Sequence, residues 1–201
     1  LRNIFIYYTN LYLRLLRYRS ELVDGYESVY YNTINKMNQQ TLLILSACDL
    51  NDPNEDLKIQ IVSKEMDRLF CLLSLQQGYE SNAFGRIIYE ISAKIRNGSI
   101  ESIRPAFDAA LISLLKEAKG EQTILSTWNY NYFRNAGYSS CSRQFLRYVL
   151  ARLDLFLCKN TKTEMHYDFR KMATSGKAFH IEHILSDNDD NRNLFLDTEG
   201  S

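Results

Sequence analysis

Two prolines and eight glycines are all that 201 residues contain. So few breakers argue against a turn-rich β fold and for long helices. A surplus of either charge is missing too: 24 Lys and Arg meet 24 Asp and Glu, so net charge identifies no partner. No apolar run approaches the roughly 18 residues of a membrane span, and no membrane partner is expected. The apolar opening Ile4-Phe5-Ile6 runs straight into Arg14, Arg17 and Arg19 without a cleavage pattern, so no secretory signal is expected. None of the four cysteines (Cys48, Cys71, Cys141, Cys158) forms a CxxC pair, which argues against a zinc knuckle. Reduced thiols and a cytoplasmic location are the expectation, with Cys71 and Cys158 buried in apolar helical runs. The chain begins at Leu1 without Met, in mid-pattern; it is expected to be a fragment of a longer protein.

What is present in abundance is aromatic and apolar: fourteen Tyr, ten Phe and a hydrophobic fraction of 45%. That composition argues for a folded chain with a real core. Apolar residues recur at three- and four-residue steps in several windows. Residues 2–19 show this in Phe5, Tyr8, Tyr12, Leu15 and Tyr18. Helices are expected over about 27–37 and 41–48. Asn54 is the expected cap of a long helix over 55–76, whose stripe is Ile59, Val62, Met66, Leu69, Phe70 and Leu73, with Gly78 ending it. Phe84, Ile87, Ile88, Ile91 and Ile95 mark another over 82–97, closed by Asn97-Gly98. Ser99 opens one that runs to about 118, with Pro105 kinking it or moving its start to Arg104. Trp128, Tyr130, Tyr132, Phe133 and Tyr138 are expected as a core cluster sealing a helix junction; the alternative is a base-stacking surface. Ser142 caps a helix over 143–158, with Phe145, Leu146, Val149, Leu150, Leu153, Phe156 and Leu157 toward the core. A short helix or turn follows around 164–172. Residues 178–185 then read as a strand. The expected fold is mainly α, a multi-helix bundle with a short C-terminal strand that begins a small appended motif.

That last stretch, Ala178-Phe179-His180-Ile181-Glu182-His183-Ile184-Leu185, holds two of the three histidines. A surface strand with satisfied histidines is one reading. A zinc-protease helix is excluded by spacing, since His-Glu-x-x-His is needed to put two imidazoles on one helical face. A divalent-metal nuclease site is the third. Phosphodiester hydrolysis needs a base for water and a hard cation for the charge that develops on phosphate. An imidazole titrates in the right range, and a carboxylate is the natural ligand for magnesium or manganese. Adjacent strand residues point to opposite faces. Glu182 and His183 can therefore share a site only if the strand ends or kinks there, and the polar run 186–191 suits such a loop.

The segment FHIEHILSDNDDN at 179–191, preceded by RQFLRYVLARLDLFL at 143–157, resembles the GmrSD-type restriction endonuclease family. Those bacterial proteins join a ParB-like, nucleotide-hydrolysing N-terminal domain to a C-terminal HNH-type nuclease domain. The resemblance implies that 1–120 is the helical linker region, 121–177 the helical lead-in to the nuclease domain, and 178–201 the start of an incomplete ββα-metal (HNH) motif. It implies Glu182 as a ligand for magnesium or manganese and His183 as the general base, with His180 supporting. It also implies DNA as substrate in prokaryotic anti-phage defence, and a fragment that is inactive without the rest of the site. Ser186 stands where many relatives have proline, a loop variation. The ParB-like domain is a partner outside this sequence.

Charge is divided unevenly along the chain. From Arg134 to Lys177, nine cations face three acids; from Ala178 to Ser201, one Arg faces six acids. A basic helix beside an acidic metal site suits a polyanionic substrate. Arg143 and Arg147, one turn apart, are the first candidates for phosphate contact. Two other classes of function remain open. One is a non-catalytic helical module that couples domains or forms a homo-oligomer; the other is a nucleic-acid-binding helical domain.

Overall fold

A computed structural model of the chain describes residues 1–137, 139–165 and 168–174. The described residues are mainly helical, and no strand occurs among them. The helices are α1 (Arg2–Ser20), α2 (Glu27–Ile34), α3 (Gln40–Ala47), α4 (Glu55–Leu75), α5 (Ser81–Ile95), α6 (Ile100–Lys119), α7 (Tyr130–Phe133), α8 (Arg143–Thr161) and α9 (Phe169–Thr174). The chain forms two compact units, Leu1–Leu146 and Arg147–Ser201. Among the described residues no helix is long and apolar enough to cross a membrane.

In the first unit α4 is the central helix, packing against α2, α3 and α6, while α5 packs against α3 and α6. The sequence explains this role. The α4 stripe from Ile59 to Leu73 and the α5 stripe from Phe84 to Ile95 are buried throughout, as their periodicity predicts. Each such side chain contributes roughly 1.5–3 kcal/mol relative to exposure. A polar knot lies inside the same core. The Asn32 amide donates to Gln40 Oε1 at 3.2 Å and to the Ser63 carbonyl at 2.9 Å, and the Gln40 amide donates to the Val29 carbonyl at 2.9 Å. These bonds tie α2, α3 and α4 in one register, because slipping any helix would strand a buried amide.

Helix ends follow the expected chemistry with instructive exceptions. Gly120, in the left-handed region at φ 65, ends α6. Gly78 is not the left-handed residue that ends α4; Gln77 is, at φ 54, with the Gly78 N–H donating to the Leu73 carbonyl. That six-to-one bond holds the turn even though a side chain occupies the position glycine prefers. Asn54 sits at the cap of α4 but its side chain makes no capping bond. Asp52 accepts from the Asn54 N–H at 2.9 Å and pairs with Lys58 Nζ at 2.7 Å. Pro105 does not delay α6, which starts at Ile100 and runs through it. The one donor proline removes would have served Glu101, which is exposed and open to water.

Two burial expectations are corrected. Cys71 and Cys158 are only partly buried, whereas Cys48 and Cys141 are buried; none of the four is in a disulfide. On α8, Phe145, Tyr148 and Ala151 are buried, and Leu150, Leu153, Phe156 and Leu157 are exposed. The helix carries apolar residues around most of its girth, so periodicity alone does not single out one stripe.

Candidate nucleic-acid interface

Helix α8 carries the basic residues that the sequence singles out. Its start is set by Ser142, whose hydroxyl accepts the Phe145 N–H at 3.2 Å, the bond expected of a serine cap. Arg143 is exposed and Arg147 partly so, one turn apart on the same helix. Arg152 is held differently. Its guanidinium donates to the Tyr148 hydroxyl and lies 5.6 Å from that ring's centroid, and Tyr148 is completely buried. Lys159 is exposed in the last turn, where a cation suits the helix dipole. A helix with its cations set along it can track phosphates without reading bases.

His180, Glu182 and His183 lie outside the described residues, as do the expected strand 178–185, the 186–191 loop and His166.

Among the described residues the aromatic segment is not the core cluster that its composition predicts; Tyr138 lies outside them. No residue of α7 is buried, Tyr130 is 67% exposed and Trp128 is 39% exposed. The rings still associate, with the Trp128 and Phe133 centroids 4.7 Å apart. A four-residue helix cannot turn its three rings inward together, and the polar neighbours Asn129 and Asn131 draw the segment to the surface. Tyr132 donates to Glu121, which lowers that carboxyl and raises the phenol, and Lys119 Nζ lies 5.0 Å from the Tyr132 centroid.

What holds this ledge is a residue that sequence reading passes over. Gln76, fully buried, donates from Nε2 to the Thr127 carbonyl at 3.0 Å and accepts the Asn129 N–H on Oε1 at 2.7 Å. A buried amide satisfying two backbone groups of a loop is a staple. Gln76→Leu is expected to cost about 2–4 kcal/mol, because it leaves both loop groups unpaired. Urea denaturation should show the loss, and Trp128 emission should change in the native baseline. An unaltered denaturation midpoint would mean that the loop holds itself.

A second cluster, equally silent in the sequence, joins α1 to the start of α4. Arg14 donates to Glu55 Oε1 at 2.6 Å and to Asp56 Oδ1 at 2.5 Å. The Tyr26 hydroxyl, together with Arg14, holds the Asp56 carboxyl below the usual range. Cys48 lies behind it, its thiol pushed up to about 12 by burial and then by Glu55. A thiol so far from ionisation is inert as a nucleophile, so this cluster reads as a structural clamp. Only a pattern linking positions 41 and 42 residues apart could have revealed it.

No family model matches this sequence, and no curated protein or solved structure matches it either.

Proposed function

We propose that this chain is part of a metal-dependent DNA endonuclease of the GmrSD type, acting in prokaryotic defence against foreign DNA. The observation that carries the proposal is the adjacent Glu182-His183 pair in FHIEHILSDNDDN, following the Arg-bearing segment that forms α8. A carboxylate beside an imidazole is the donor chemistry that such a reaction uses. The metal, when bound, stabilises the negative charge developing on the phosphate. His183 takes a proton from the attacking water, the new P–O bond forms, and the bond to the leaving sugar oxygen breaks. Glu182 would hold the magnesium or manganese ion, and His180 would support the site. Arg143 and Arg147 contact phosphates and position the duplex. A ParB-like nucleotide-hydrolysing domain is the partner in this reading. Four cysteines outside any disulfide support a reducing, cytoplasmic setting.

A supercoiled plasmid assay with magnesium or manganese tests the proposal. The 201-residue chain is compared with one carrying about 60 further C-terminal residues, the scale of a small structural motif. The resemblance implies that such residues complete the site, so cutting is expected from the extended chain and not from the shorter one. Metal-independent cutting, or none by the extended chain supplied with its ParB-like domain, would overturn the reading.

A second reading has its own observation. Helix α1 is apolar on two opposite sides, which favours a helical module that couples or joins partners. Nucleic-acid binding without cleavage is the remaining alternative, supported by the cations of α8; such binding must weaken as salt rises.

A further inference from the structure

Helix α1 lies in the first unit and packs against α2 and α3. Leu11 and Leu15 mark its buried side. The opposite side is also apolar. Ile6, Thr9, Leu13 and Leu16 recur at three- and four-residue steps, flanked by Phe5 and Tyr12, which stand seven residues apart. All five large apolar residues of this set are exposed, Phe5 at 75% and Leu13 at 56%. A helix apolar on two opposing sides is the pattern of a helix covered on both. Scattered exposed leucines need no explanation, but a continuous seam at helical spacing marks an interaction surface.

The charges beside the seam say what covers it. No acid occurs between Arg2 and Ser20. Arg14 is turned to Glu55 and Asp56. Arg2, Arg17 and Arg19 remain around the outer side; Arg17 reaches Glu21, just past the helix, at 3.4 Å, and Arg19 donates to Asn38. A second copy seated on this seam would set arginine against arginine in either direction. Flanking charges select the partner in helix pairing, and here they select acids. A three-four spacing matches the ridges of another helix.

We propose that the outer side of α1 docks an amphipathic α-helix of another polypeptide segment, with an aliphatic seam and glutamate or aspartate on its flanks. The inference is independent of the nuclease reading.

The test uses the 201-residue chain and two synthetic three-heptad helices that share a leucine seam. One has glutamate flanks and the other lysine flanks; binding is measured by calorimetry. The glutamate peptide is expected to bind at least about tenfold more tightly, a difference on the scale of a few flanking charge pairs. Leu13→Glu with Leu16→Glu is expected to weaken that binding by roughly thirtyfold, the effect of removing a hot spot. Both side chains point outward, so helicity and the urea midpoint should not move. Arg17→Glu with Arg19→Glu should reverse the preference toward the lysine peptide. Phosphatidylserine vesicles and sedimentation of the chain alone form the other arms. Equal affinity for the two peptides, binding of neither, partition onto vesicles, or dimerisation abolished by the Leu13 and Leu16 changes would overturn the proposal.

Discussion

His183→Ala, introduced into the C-terminally extended chain, is expected to slow metal-dependent DNA cleavage by roughly 10²- to 10⁴-fold, the usual share of a positioned general base. Water is a poor nucleophile until a proton leaves it, and in this reading His183 takes that proton. The wild-type rate should therefore rise across the imidazole range, roughly pH 5 to 8, and the variant should lose that rise. Glu182→Gln distinguishes the two roles. An amide oxygen is a weaker ligand for a hard cation than a carboxylate, so the amount of magnesium needed for half-maximal cutting should increase and excess metal should restore part of the rate. Excess metal should not rescue His183→Ala. A His183→Ala chain that cuts like wild type would remove His183 from the chemistry and favour the coupling-module reading.

The second large effect is on stability. Phe107→Ala is expected to destabilise the protein by about 3–5 kcal/mol, the range for truncating a buried aromatic. Phe107 is 1% exposed on α6, the helix that packs against both α4 and α5. Removing its ring takes apolar area out of the core and leaves a cavity that helices held on two sides cannot fully close. Phe156→Ala deletes the same ring from α8, where it is 61% exposed, and should cost less than about 1 kcal/mol, as surface changes do. Chemical denaturation of the two variants side by side makes the comparison. Equal losses would show that Phe156 is covered in solution.

Those two phenylalanines also show how far the sequence reads. Helix existence, order and approximate ends were legible for α1 to α6 and for α8. Breakers are rare, so each Gly, Asn-Gly or capping serine stands out, and apolar spacing in α4 and α5 leaves a single stripe to bury. The proposed catalytic chemistry was legible only as residue types, in Glu182, His183 and their neighbours, and it stands on them alone. On α1 and α8 apolar residues cover more than one side, so local spacing has no unique answer and the packing decides which side is buried. It hides Tyr148 and leaves Leu153 exposed.

The aromatic ledge departs from its expected burial for a related reason. Ring content states how much area could be buried, but a four-residue helix has no side long enough to bury it. Links between residues far apart in the chain were silent altogether. Nothing near Gln76 in sequence announces a bond to Thr127, 51 residues on, and nothing near Arg14 announces Glu55 and Asp56. By itself the sequence determined a mainly helical protein and supplied the residue types on which the proposed chemistry rests, because periodicity and side-chain type are local properties. Which sides are covered, and which polar groups meet, only the tertiary structure decided, because those depend on contacts between residues far apart in the chain.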